Sequence, residues 1–205
     1  MLASHAEPVG AETGGPDRDW WPIGLVVVAA LVGAAAAVVL VSPSMPGDGS
    51  VEAGFARDMS THHAQAVRMA GLISDRTTDE ELLVLAEDIT LSQQAQIGQM
   101  LGWLDIWGLP AAGSGPPMAW MDMGDMPMTG MASTETVDAL GAAGAVDAER
   151  LFLELMIDHH RGGVEMAEGL LERSDHPVVR QLAGSILDSQ SGEIELMERL
   201  LVDRS

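Results

Sequence analysis

Two stretches of the chain carry the same set of donor side chains in the same spacing, Met-x-x-His-His-x5-Met. The first holds Met59, His62, His63 and Met69; the second holds Met156, His159, His160 and Met166. Imidazole nitrogen together with thioether sulfur favours Cu(I) or Ag(I), whereas hard cations want oxygen donors and zinc sites rarely use Met. Cys is absent, so any metal must be held by His, Met, carboxylate or amide groups. A lone His on an apolar helix face is ordinarily a hydrogen-bonded core residue, and Met ordinarily fills gaps in a core. Here the His pair recurs with Met at the same flanking positions, and burying four imidazoles without partners would be costly. The spacing therefore favours a soft-metal site. Adjacent helical residues diverge by about 100°, which leaves His63 and His160 open either as ligands or as residues standing outside the ligand shell. Asp58, four residues before His62, is a candidate to orient it; Leu155 replaces it in the second stretch, so that role is not general.

A second concentration of sulfur lies between the two motifs. Met118, Met121, Met123, Met126, Met128 and Met131 fall within a linker, residues 110–132, rich in Pro and Gly. A flexible exposed segment has little packing reason to be so rich in Met, and a loose Cu(I)/Ag(I) chelator has one. The competing reading is an apolar loop that covers the bundle end with Trp120 as its anchor. The chelator is the favoured expectation.

The elements that must position these donors repeat as well. A shift of 97 residues aligns Phe55 with Phe152 and both His pairs, and it continues without a gap to Met100 and Met197. It gives 15 identities over the 46 positions 55–100. Each unit reads as a helical hairpin. The first helix spans about 51–75, and the second opens at Thr78 with a Thr-x-x-Glu capping box completed by Glu81. A third helix begins by residue 147 and runs to 173, with a short helical piece before it from 134. A fourth starts at Asp175-His176-Pro177 and ends near 203. At 3.6 residues per turn the Met and His side chains share the apolar face, as do Gln93, Ile97 and Met100 with Gln190, Ile194 and Met197. The donors therefore point inward, and two hairpins joined by a long crossover describe a four-helix bundle.

The stretches Asp58–His63 with Ala66-Val67 and Met69-Ala70, and Phe152–His160 with Val164–Ala167, resemble the bacterial domain of unknown function 305 family. So do Ala86–Ile89 with Gln93, and Ser189-Gln190 with Glu193-Ile194 and Met197. The resemblance covers about residues 52–203. It implies a ferritin-like four-helix fold, an extracytoplasmic location and, for some members, copper binding linked to copper tolerance. Two departures stand out: Gly162-Gly163 replaces the more usual Gly-Ala, and Gln96 stands where the family tends to have Glu, matched here by Glu193. A ferritin-like di-iron oxidoreductase is the rival that the fold raises, but its sites need Glu-x-x-His. Met59 and Met156 occupy those Glu positions, so iron chemistry is disfavoured. No Gly-x-Ser-x-Gly, Walker loop or dinucleotide fingerprint points to another enzyme.

Ahead of the repeats, residues 1–19 read as a disordered segment. Trp20-Trp21-Pro22 and the uncharged run 23–41 read as a transmembrane anchor over 20–42, long enough at about 1.5 Å per residue to cross a bilayer. A signal peptide would have a basic leader and a small-x-small cleavage site, and only Arg18 is basic in this leader. An uncleaved single-pass anchor in the cell membrane is favoured, followed by a linker at 43–50 and an extracytoplasmic domain at 51–205. The net charge of −21, from 31 acidic residues against ten Arg and no Lys, argues against nucleic-acid binding. A homo-oligomer is compatible with the sequence. The expectation is an all-α, membrane-anchored binder of copper or silver with a buffering or tolerance role, not an enzyme. A metal-free helical interaction module at the cell surface is the alternative.

Overall fold

The first two helices begin where a short polar side chain can cap them. Ser50 accepts a hydrogen bond from Ala53 N and opens helix α1 (Val51–Ser74); Asp79 accepts from Glu81 N and Leu82 N and opens α2 (Glu80–Ile106). The expected cap at Thr78 is thus displaced by one residue. A carboxylate satisfies two free amides where a threonine hydroxyl would satisfy one. Ser133 caps the short α3 (Thr134–Ala142) through Thr136 N. After Gly144, α4 covers Ala145–Arg173, and Pro177 occupies the first turn of α5 (Pro177–Val202).

This computed structural model describes residues 45–124 and 126–204. Among them lie five α-helices, one 3-10 turn (Ala119–Met121) and no strand. The expected disordered segment (1–19) and membrane anchor (20–42) fall outside the described residues. No described helix is long and apolar enough to cross a membrane.

The helices pair as the repeat requires. α1 lies against α2 and α4 against α5, and the two hairpins meet through α1 and α4; α3 packs on both of these. The core divides into two clusters, and the 97-residue shift exchanges them. One holds Phe55, Met59 and Met100 from the first unit with Met166, Leu182 and Ile186 from the second. The other holds Phe152, Met156 and Met197 from the second unit with Met69, Leu85 and Ile89 from the first. Each unit therefore contributes to both ends, which is why neither hairpin buries its apolar stripe alone. Arg204 ties the end of α5 to the opposite hairpin through Asp79 (2.5 Å) and to α4 of its own hairpin through Glu149 (3.1 Å).

The linker between the units is docked against the helices. Met118 and Met121 are buried in the first cluster, and Trp120 stands edge-on to Phe55 at 5.7 Å. Two helical glycines make the room: a Cβ on Gly54 would lie 2.6 Å from the Trp120 ring, and one on Gly169 would lie 2.5 Å from the Met121 methyl. Met118 and Asp122 both hold positive φ, 63° and 60°, bracketing the 3-10 turn. For these residues the picture of a flexible exposed segment is replaced by a cap on the bundle.

Candidate metal centre

Between the two clusters the four histidines form a row. On α1, His62 and His63 separate Met59 from Ala66, Met69 and Ile73; on α4, His159 and His160 separate Met156 from Met166 and Leu170. All four side chains are fully buried. The ring centroids of His62 and His63 lie 6.4 Å apart, those of His159 and His160 6.2 Å apart, and the inner pair His62–His159 is in stacking contact at 3.7 Å. The divergence of neighbouring helical residues makes this row possible. His62 and His159 face each other across the α1–α4 seam, while His63 and His160 turn into their own hairpins.

Every ring is held through the same nitrogen. His62 Nε2 donates to Thr129 O (3.1 Å), and His159 Nε2 donates to His62 O (3.0 Å). His63 Nε2 donates to Gln96 Oε1 and His160 Nε2 to Glu193 Oε2, both at 2.6 Å. Carbonyl and carboxylate oxygens only accept, so each Nε2 carries a proton, and a ring that is neutral keeps its lone pair on Nδ1. All four Nδ1 atoms are buried and lack a hydrogen-bond partner. Burial holds the rings of His62, His63 and His159 neutral. It pulls His62 down to about 4 and His63 to about 3, and it lowers His159 well below the usual histidine range; charge repulsion from neighbouring rings adds to each.

The thioethers share this interior. Met59, Met69, Met100, Met156, Met166 and Met197 are all fully buried, beside the row in the two clusters. Of the linker sulfurs, Met118 and Met121 are core residues; Met123, Met128 and Met131 are half-buried, and Met126 is 57% exposed. Among the described residues no three His, Asp or Glu side chains gather as a metal-binding group. A centre at the row must therefore be completed by sulfur or amide donors, and a carboxylate-bridged pair of hard metals has no counterpart here.

Several participants were hidden from the sequence. Asp58 does not orient His62: its Oδ2 accepts from Met118 N (2.7 Å) and Trp120 Nε1 (2.9 Å), anchoring the linker. Its counterpart Leu155 instead packs, partly buried, against the other core cluster. Burial pushes the Asp58 carboxyl up, countered by these two hydrogen bonds. Residues 129–132 form a strap over the inner rings. Gln65 fastens it with two hydrogen bonds of 2.8 Å to Ala132, and a Cβ on Gly162 would lie 2.2 Å from Thr129 O. The buried amides of Gln93 and Gln190 have no partner, and a Cβ on Gly163 would lie 2.2 Å from Gln190 Oε1. The sequence held no distinguishing signal for the strap, since Gln65/Gly162 is one of many unmatched positions in the repeat. The repeat did register Gln93 and Gln190, though without a role.

Residues 52–201 match the family described as a domain of unknown function, DUF305. The chain belongs to the DUF305 family. Among solved structures it is similar to a DUF305 protein from Streptomyces coelicolor, described as a candidate secreted protein. The identity is 50% and the TM-score 0.73, over 76% of this chain and 94% of that one. A DUF305 fragment from Deinococcus radiodurans shares 37% identity at a TM-score of 0.65, over 77% of this chain and 99% of the other. The chain is also similar to CopM in its Cu(I)-bound form, with 27% identity and a TM-score of 0.61, over 75% and 96% of the two chains. CopM has Cu(II)-bound and Ag-bound forms too, at 28% and 25% identity. No curated protein matches the chain.

Proposed function

We propose that this DUF305 protein binds soft cations, Cu(I) and Ag(I), in the interior of the bundle, and that it buffers them rather than catalysing a reaction. The observation that carries this reading is the row of four buried imidazoles whose Nδ1 atoms have no hydrogen-bond partner. An unpaired buried acceptor is costly, and a metal ion is the partner that satisfies a lone pair while leaving the Nε2–H bonds intact. With metal–nitrogen bonds of about 2.0 Å and about 1.1 Å from nitrogen to ring centre, two imidazoles sharing one ion have centroids no more than about 6.2 Å apart. The separations of 6.4 and 6.2 Å within each His pair lie at that limit, so a shared ion needs a small inward turn of the rings. The stacked inner rings at 3.7 Å leave no room for an ion between their faces. The reading is therefore one position in each half, with Met59, Met100 and Met166 or Met69, Met156 and Met197 as the sulfur donors at hand. The binding of copper and silver by CopM supports the same chemistry.

The exposed thioether of Met126 and the half-buried ones of Met123, Met128 and Met131 make the linker a surface collector in this scheme. The candidate secreted relative supports placing the domain outside the cytoplasm; the uncharged run 23–41 is the support for an anchor over 20–42, and the pairing of α1 with α2 and α4 with α5 is the support for a ferritin-like arrangement. The test is a Cu(I) titration of the full chain against a chromophoric competing chelator. Wild type retains copper against the chelator. A His62/His63/His159/His160→Ala variant, checked for helical content, loses at least tenfold in affinity, and Met59→Leu with Met156→Leu loses less. Equal binding by all three would refute the reading.

A further inference from the structure

The two ends of the imidazole row occupy equivalent places in the repeat, yet their chemistry differs. His63 donates to the neutral amide of Gln96, and His160 donates at the same distance to the carboxylate of Glu193. The surroundings differ in the same sense. Outside Glu193, which is 19% exposed, a cavity of about 390 Å³ opens to solvent between α2 and α5, and Glu80, Glu81 and Asp88 line it as well. Shifting by 97 residues replaces these four carboxylates with Pro177, Val178, Ser185 and, in the reverse sense, Gln96. One end of the row thus meets a carboxylate backed by a cavity with three more, and the other has no acidic group at the matching positions.

We propose that the two positions are unequal and that a soft cation occupies the His159–His160 pair first, with Glu193 as the residue that sets the order. This rests on the reading of the row as a metal site. A carboxylate accepting the far N–H of a ligating imidazole makes the ring a better donor and balances the charge of a bound monovalent cation. An amide does the first weakly and the second not at all. Removing such a partner commonly costs about 10–100-fold in metal affinity. The acidic cavity acts with the same sign, raising the local cation concentration beside Glu193 at low salt. Gln96 then defines a weaker second position, so one chain covers a wider range of free-ion concentration than two identical sites would.

The experiment is a titration of the full chain with Ag(I) at about 0.15 M salt, where the Debye length of about 8 Å screens the cavity rim. It is followed by the side-chain nitrogen resonances of the four histidines. In wild type the His159 and His160 signals move at lower silver than those of His62 and His63. In Glu193→Gln the first step weakens by roughly 10–100-fold and the two pairs move together; in Gln96→Glu the second step tightens. Simultaneous movement in wild type, or an unchanged order in Glu193→Gln, overturns the proposal. If Glu193→Gln does not fold, the order in wild type and in Gln96→Glu still decides. Silence of all four histidines would instead defeat the metal reading beneath it.

Discussion

At the scale of single residues, the site is built by giving every imidazole one fixed hydrogen bond and withholding the other. Thr129 O, His62 O, Gln96 and Glu193 take the four Nε2 protons. The burial of His62, His63 and His159 with unpaired Nδ1 atoms should show in the pH dependence of folding. His62 and His63 are pulled from about 6.5 in the unfolded chain to about 4 and about 3, and His159 moves in the same direction. The unfolded chain therefore takes up protons that the folded chain refuses as pH falls below about 6.5. Stability is fully present above that value and declines toward pH 4, by at most about 1.4 kcal/mol per pH unit for each ring. Urea unfolding of the apo protein at successive pH values should show this fall, and the His62/His63/His159/His160→Ala variant should flatten it. A wild-type profile flat between pH 7 and 4.5 would contradict the burial of neutral rings. Asp58 supports a separate expectation. Asp58→Ala leaves the Met118 amide and Trp120 indole without their acceptor and lowers stability by about 1–3 kcal/mol, read as a drop in Tm.

At the scale of elements, the linker both caps the bundle and straps the inner His pair. Its first part pins Met118, Trp120 and Met121 into one cluster; its last part crosses α4 where Gly130 and Gly162 allow the backbones to touch. Gly130 has φ of +76°, and a Cβ there would also meet Asp158 O at 2.6 Å. Gly162→Ala places a methyl against Thr129 O, so the strap must lift and the His62–Thr129 bond must open. The expected result is a loss of roughly 1–3 kcal/mol and faster Ag(I) uptake in stopped flow. Unchanged stability and kinetics would show that the strap does not seal the row. This contact was not legible in the sequence. A carbonyl accepting from a ring 67 positions away leaves no local pattern, and the mismatch of Gln65 with Gly162 is one among many in the repeat. The burial of Met118 and Met121 was illegible for a related reason. The linker's composition is that of an exposed loop, and the glycines that admit Trp120 and Met121 lie on other elements.

At the scale of the whole molecule, the repeat governs both what was readable and what was not. Fifteen identities in register placed Met59, His62, His63 and their copies on one inward face, and the buried row follows from that. The helix count and most helix limits were equally accessible, because 3.6-residue periodicity and caps are local signals. What the duplication concealed is its asymmetry: Gln96 against Glu193, Asp58 against Leu155, and one linker serving a twofold core. Sequence alone also left open whether the halves share one site, and the stacking of His62 on His159 favours two.

The central claim is that buried imidazole and thioether together hold a soft ion, and X-ray absorption on the Cu(I)-loaded full chain tests it most directly. The account predicts a first shell that mixes imidazole nitrogen at about 2.0 Å with sulfur at about 2.3 Å, with the outer-shell scattering of histidine rings. A shell of oxygen donors, or of sulfur without any imidazole, would contradict it.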